Sequence, residues 1–466
     1  MSSRSLAGVA LLSLSALVLA GCAASSTADS AEEYDPDAEV TISVGGMPTS
    51  DQPEQLEAFN ESVAAFEELY PNITIEGSEV KWDAQTFAAQ LAGGTLPTTL
   101  SVAYTDIGGL IENGQVADVT DYLDDDPSLA IADLNDSVLS VAQDDAGRVY
   151  GVPTDVYSMV VFYNRDLYEQ AGLDPDTPPS TWEEVRENAQ AIAEATGVKG
   201  FGIATTENYG GWVLAAMSYG FGDTLETTDD DGTVTANIDN DATQSALQLL
   251  SDMQWEDGTY ATNVLAEYDD VVQEFAAGEI GQYIGMGSDY SFNKAVTTNG
   301  MDADDIGMGV LPQSDDGIGT LSGGAVQIVS PDATPNQIAA ALKWVNYYKY
   351  QIYYDEDAAV TAAQTTSAAG KIVGAPGTPL VAEETYDQYL EWIADYINID
   401  RSHFDVFEQT RDSIPVLPEP TVAAQEIYAT LDSVIQSVLT DEDADIPSLL
   451  ESAQSQAESL IASAQE

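Results

Sequence analysis

From residue 40 onward, the spacing of apolar positions switches repeatedly between two and about 3.6. Val40-Thr41-Ile42-Ser43-Val44 alternates apolar and polar residues, as a strand with one covered face does. Leu56, Phe59, Val63, Phe66 and Leu69 then recur every three or four residues, the stripe of an amphipathic helix, and Tyr70-Pro71-Asn72 stops it. Ile73-Thr74-Ile75 and Leu100-Ser101-Val102-Ala103-Tyr104 predict two more strands. Short strands follow at 149–152 and 160–163, then a helix through Val185, Ala189 and Ile192. Ser180 and Thr181, followed by Glu183 and Glu184, supply its capping box, and Gly197 is placed to end it. Phe201-Gly202-Ile203 is a further strand, and Leu247, Leu250 and Met253 mark a helix closing near Gly258. Residues 280–284, 306–311 and 325–329 read as strands. Thr334-Pro335 opens a helix with proline at its first position, and Ile427, Leu431, Val434, Ile435 and Val438 stripe a late one.

Alternation of this kind predicts an α/β protein with mostly parallel sheets, and ligands in such sheets sit beyond the carboxyl ends of the strands. The loops after the strands are therefore where chemistry is sought. The sequence carries no internal repeat, glycine-rich phosphate loop, G-x-S-x-G elbow or H-E-x-x-H motif.

Composition narrows the partners. Hydrophobic residues make up 44% of 466, enough to fill more than one core. Against 80 Asp+Glu stand 12 Lys+Arg, a net charge of −68, which repels nucleic acid and anionic lipid. Such a surface keeps a secreted protein soluble, and it also attracts cationic solutes. One Cys and one His leave no internal disulfide and argue against a zinc enzyme, so His403 reads as an ordinary polar residue and no cofactor or metal is expected.

Arg4 precedes an apolar run over 6–19 that is too short to span a membrane and has the form of a signal-peptide core. It ends in Leu19-Ala20-Gly21-Cys22, which resembles the bacterial lipoprotein motif. That resemblance implies cleavage after residue 21 and lipidation of Cys22, the thiolate being the nucleophile. Residues 22–38, poor in bulky apolar groups, read as a flexible tether. The folded part is then expected outside the cell, touching the membrane only through its lipid.

An ordered set of segments resembles the maltose-binding-like extracellular solute-binding proteins of ABC importers. It comprises Phe59-Asn60-Glu61 with Tyr70-Pro71-Asn72-Ile73, Ala92-Gly93-Gly94-Thr95-Leu96-Pro97, and Gly147-Arg148-Val149-Tyr150-Gly151-Val152-Pro153-Thr154-Asp155. Tyr163-Asn164-Arg165-Asp166-Leu167, Gly172-Leu173, Pro178-Pro179-Ser180-Thr181-Trp182-Glu183-Glu184, Phe275-Ala276-Ala277-Gly278-Glu279-Ile280-Gly281, and Leu311-Pro312 with Gly323-Gly324-Ala325-Val326 follow. The chain departs from the family in having Thr98 where Asp is usual, and Gly285-Met286-Gly287-Ser288 where many members place an aromatic. The resemblance implies an α/β, two-lobed periplasmic-binding-protein-like fold, with a ligand cleft between lobes joined by a multi-crossing hinge. Lobe 1 is expected at 39–152 and 313–375, lobe 2 at 153–312 and 376–466, with crossings near Pro153, Pro312 and 374–379. It also implies a non-enzymatic monomer that takes a sugar or oligosaccharide to ABC permease subunits. A cationic or peptide-like solute is the alternative, and a glycoside hydrolase is the enzyme alternative.

Sugar recognition uses aromatic faces against C–H faces, with carboxylates and amides on the hydroxyls. The loop at 47–51 should present Met47 and Asp51, and Trp82 and Asp83 follow the second strand region. Asp106 follows the third strand; Asp155 and Tyr157 follow the Gly-Val-Pro strand; Tyr209 and Trp212 follow the strand at 201. Met286, Ser288 and Asp289 follow the strand at 280, and Gly323 and Gly324 should let backbone approach the ligand. By the resemblance, Asp155 takes the place of a carboxylate that binds sugar hydroxyls. Tyr347-Tyr348 and Tyr353-Tyr354, on or just after the helix from Pro335, are expected to pack rather than to bind iron.

Overall fold

The computed structural model describes residues 34–464 apart from 126–128, 130–132, 145 and 230–232. The signal-peptide run, Cys22 and most of the tether lie outside the described residues. Ten strands are named: β1 Val40–Val44, β2 Ile73–Gly77, β3 Thr99–Ala103, β4 Val152–Asn164, β5 Glu226–Thr228, β6 Val234–Ala236, β7 Gln282–Met286, β8 Ile306–Val310, β9 Thr320–Val329 and β10 Val416–Leu417. The principal sheet runs β2-β1-β3-β9-β4-β7, with β10 on β9 and β8 on β4, while β5 and β6 pair by themselves.

The expectation of mostly parallel pairing needs correction. β1 lies parallel to β2 and β3, and β10 to β9. β9 runs antiparallel to β3 and β4, and β4 antiparallel to β7 and β8. The antiparallel pairs of the principal sheet all involve the two long strands, which run in opposite senses, and β5 pairs antiparallel with β6 in a sheet of its own. The run at 160–163 lies in one thirteen-residue strand that begins at Val152, while Val149, expected in a strand of its own, makes a single bridge to Gln143. The polar residues between Val152 and Val160 pair with β9, so hydrophobicity lapses where the ladder does not. Phe201 and Gly202 form single bridges to Tyr260 and Tyr283 instead of a strand.

The helix signals act as capping chemistry dictates. Thr181 and Glu184 satisfy each other's backbone at the start of helix Trp182–Thr196, and Gly197, at φ 77°, ends it. Thr334 and Gln337 do the same for helix Pro335–Val345. Helix Tyr209–Phe221 carries no 3.6-residue signal because it is buried on nearly every side.

Two main apolar cores result. The larger takes in residues 159–162 of β4, helix Tyr209–Phe221, helix Ala424–Thr440 and Leu321 at the start of β9. The smaller takes in β1, β2, Val152 at the start of β4, Val329 at the end of β9, and Trp344. A separate group, Leu100, Val102, Ile107, Val326 and Ile328 among it, involves β3 and β9. β4 therefore leaves the smaller core and enters the larger, and β9 returns. Farther on, Ile372 and Ala375 lie in the larger core and Val381 and Tyr386 in the smaller. The α/β fold is two-lobed, and the passages between its cores position the site.

Candidate functional site

The first passage is built on a bulge. Pairing of β4 with β9 is Pro153 to Val326 and then Asp155 to Ala325, which leaves Thr154 as the extra residue. Pro153 has no N–H to give a ladder, and bulges re-aim the side chain that follows. The Pro153 carbonyl instead accepts the hydroxyl of Tyr350. Asp155 thereby lies in a cavity of about 230 Å³ with Ser288, Asp289, Tyr353, Tyr386, Tyr389 and the loop at 374–380. Its carboxylate is open to solvent but ringed by protein. Burial raises its pKa, and the charge of Lys349 and the Val156 N–H pull it back. Burial and the charge of Asp155 raise that of Asp289.

Gly323 and Gly324 lie opposite this segment on β9, paired with Tyr157 and Val156. A Cβ on Gly323 would stand 2.1 Å from the Tyr157 hydroxyl, and one on Gly324 2.1 Å from the Asp155 carbonyl. The sequence reading gave these glycines to the ligand. The room they make is taken by Tyr157 and by β4 itself.

Tyr157 leads to a second aromatic group. Its ring lies 6.0 Å from Trp212, which lies 6.0 Å from Tyr209; Tyr209 lies 5.5 Å from Tyr268. Tyr268 donates nothing to solvent: its hydroxyl accepts the Met286 N–H at 3.0 Å and pairs with Ser291 at 2.9 Å, fixing the loop that bears Ser288 and Asp289. Met286 thus contributes its backbone to that arrangement. Tyr209 and Trp212 stand on the first turn of helix Tyr209–Phe221, where Asn208, at φ 71°, gives no side-chain cap. Asp432 of helix Ala424–Thr440 supplies it, accepting the N–H of Asn208 at 2.8 Å and of Gly211 at 2.9 Å. A Cβ on Gly211 would lie 2.3 Å from Tyr428 Cα, so the two helices meet backbone to backbone.

Asp106 and Trp82 are joined, the indole Nε1 donating to Asp106 Oδ2 at 2.9 Å. Burial raises the Asp106 pKa against the Thr105 and Trp82 hydrogen bonds. Asp106 in turn acts on Glu419, which sequence reasoning missed. Glu419 is 9% exposed, accepts the Tyr428 hydroxyl at 2.9 Å, and has its pKa pushed up to about 7 by burial, with Asp106 adding to the effect.

A carboxyl whose pKa is higher folded than unfolded stabilises the fold most at low pH, and that contribution is lost as pH rises through the folded value. Wild type should therefore lose roughly 2 kcal/mol relative to Glu419→Gln between about pH 5 and pH 8. Denaturant titration of both proteins across that range checks this; a difference that does not change with pH contradicts it.

Other expected residues are not gathered here. Met47 packs on Gly77, its Sδ 2.4 Å from where a Cβ there would stand. Asp51 is exposed and takes the Thr49 hydroxyl, and Asp83 caps helix Ala84–Ala92 through the Thr86 N–H at 3.0 Å. His403 Nε2 lies 3.7 Å from Asp400. Tyr347 and Tyr348 pack as expected, against Phe66 and Trp344. Tyr353, read as packing only, lines the Asp155 cavity with its ring 5.1 Å from Tyr389. No local pattern ties residues 353, 386, 389 and 419 to 155; the chain's return passages bring them together. Among the described residues, no group of three or more His, Cys, Asp or Glu is arranged to hold a metal, and no helix is long and apolar enough to cross a membrane.

The sequence profile of a family described as bacterial extracellular solute-binding protein matches residues 49–349. A binding protein of Brucella abortus is 27% identical over 236 residues, 48% of this chain and 53% of that protein, so the chain spans about half the length of that relative. The sugar-binding protein MalE of Xanthomonas citri superposes with a TM-score of 0.68 at 17% identity, covering 91% of this chain and 98% of that one. The cyclic alpha-maltosyl-1,6-maltose binding protein of Arthrobacter globiformis gives 0.66 at 20% identity, over 91% and 99%.

Proposed function

The chain belongs to the bacterial extracellular solute-binding proteins, and from that premise we propose that it captures a sugar or oligosaccharide and delivers it to the permease of an ABC importer. The observation that carries this reading is the Asp155 cavity. Carboxylates of Asp155 and Asp289 and rings of Tyr353 and Tyr389 surround one small volume where the chain passes between cores. Carboxylates accept sugar hydroxyls, and aromatic faces cover the apolar face of a pyranose. The two superposed proteins, one a sugar-binding protein and the other a cyclic maltosyl-maltose binding protein, support that chemistry. A volume of about 230 Å³ lies below the roughly 300–1,000 Å³ of a drug-sized pocket, so it suits one ring or one end of a longer ligand. The Tyr157–Trp212–Tyr209 group offers further rings for the remainder.

The lobes hinge at places where the chain changes cores, among them 153–158, 320–325 and 375–381. A thermal-shift screen of mono- and oligosaccharides tests capture. At a hundred times its dissociation constant a ligand stabilises the protein by about 2.7 kcal/mol. Recovery of the ligand unchanged from the complex separates binding from hydrolysis; no shift with any sugar contradicts the reading.

The protein acts as a monomer outside the cell, held to the membrane by lipid on Cys22 after removal of residues 1–21. The Leu19-Ala20-Gly21-Cys22 motif supports this. Cys22→Ala should move the protein from the membrane fraction to the soluble one. Retention in the membrane at the wild-type level contradicts the anchor.

A further inference from the structure

The charges around the cleft are not balanced by the protein. Asp155 and Asp289 share one cavity, and the charge of Asp106 bears on Glu419, which with Asp155 also bears on Tyr157. Among the described residues, no Lys or Arg makes an ion pair with any of the four. The guanidinium groups behind the cavity loop are spent elsewhere. Arg401 donates to the Gly374 carbonyl and pairs with Glu408; Arg411 donates to the Gly377 carbonyl and pairs with Glu383. Lys349 reaches Asp155 only through space, its Nζ lying over the Tyr348 ring at 5.4 Å from the centroid.

Two carboxylates in one partly enclosed volume repel each other, and each resists losing water. A neutral ligand closing over them leaves that repulsion in place, whereas a ligand that brings a positive charge removes it. Tyr353 and Tyr389 line the same cavity, and ring faces attract cations as well as C–H groups; the ring of Tyr386 already has the Arg411 guanidinium over it at 5.9 Å. Ser288 lines the same cavity, and its Oγ is covered yet has no protein hydrogen-bond partner.

Building on the sugar-capture reading, we propose that the cleft selects a sugar carrying a protonated amine, an amino sugar or its oligomer, with Asp155 and Asp289 receiving the ammonium group. The ammonium donates up to three hydrogen bonds, enough for both carboxylates and the Ser288 hydroxyl. The same arrangement disfavours phosphorylated and carboxylated sugars by like-charge repulsion.

Calorimetric titration of the wild-type protein with D-glucosamine and the β-1,4-linked glucosamine dimer tests this, with D-glucose and cellobiose as neutral counterparts and putrescine as an amine without a sugar. The amino sugars should bind about ten-fold or more tightly than their neutral counterparts. Asp289→Asn should remove most of that preference, and Asp155→Asn serves as the second variant if the first is poorly folded. Glu442→Gln, at an exposed position, should leave it unchanged, separating a specific site from attraction to the net charge of −68. Equal or tighter binding of the neutral sugars overturns the amine proposal while sugar capture stands. Binding of putrescine with no sugar bound overturns the amino-sugar assignment and the sugar reading together. A preference that survives both Asn variants, or failure of every amine to bind, also overturns the proposal.

Discussion

Asp155→Ala should weaken binding of the captured sugar by at least about ten-fold, the largest effect expected of any single change in the cleft. Hydrogen bonds to a charged group contribute roughly 1.5–3 kcal/mol, and about 1.4 kcal/mol is a factor of ten. The side chain sits on the bulge at Thr154, lines the cavity, and supports no apolar packing. Its raised pKa means that folding works against its charge, so the unliganded variant should melt at or slightly above the wild-type temperature. Calorimetric titration and unliganded melting curves of both proteins decide the matter. Equal affinities remove Asp155 from the site, and a large loss of unliganded stability makes it a structural residue.

Asp432→Ala should produce the largest loss of stability among polar substitutions discussed here, about 2–4 kcal/mol, because two charge-assisted hydrogen bonds are lost at a buried helix start. Asp432 is 7% exposed and closes the N-terminus of helix Tyr209–Phe221, to which Asn208 brings no cap. Tyr209 and Trp212 lie in the turn it holds, so affinity for long oligosaccharides should fall as well. A denaturant titration showing less than about 0.5 kcal/mol of loss, the scale of an ordinary surface substitution, contradicts this role.

Much of the framework was legible because local chemistry and tertiary structure agree. The capping boxes at Thr181 and Thr334, the stop at Gly197, and the alternation in β1 each follow from a few neighbouring residues. Helix Tyr209–Phe221 was not legible, since a helix covered on all sides loses the contrast that marks a face. The continuity of β4 was hidden because polar residues interrupt its apolar pattern where it pairs with β9. The order of segments pointed to Asp155 and Tyr157, and placement after strands to Ser288 and Asp289. Tyr353, Tyr386, Tyr389 and Glu419 come near them only because the chain returns between the cores again after β9, which no sequence period encodes. Met47, Asp51 and Asp83 also follow strands, yet the structure gives them packing and capping partners, so position after a strand does not by itself mark a residue of the cavity.

The central claim is that ligand is held between lobes that close on it, a motion of hinge type. Small-angle scattering of the protein, free and saturated with the best sugar from the screen, tests it most directly, with circular dichroism recorded on the same samples. The expected result is a smaller radius of gyration on saturation with unchanged secondary structure. Superimposable scattering profiles from samples shown by calorimetry to be fully bound would contradict capture by a closing cleft.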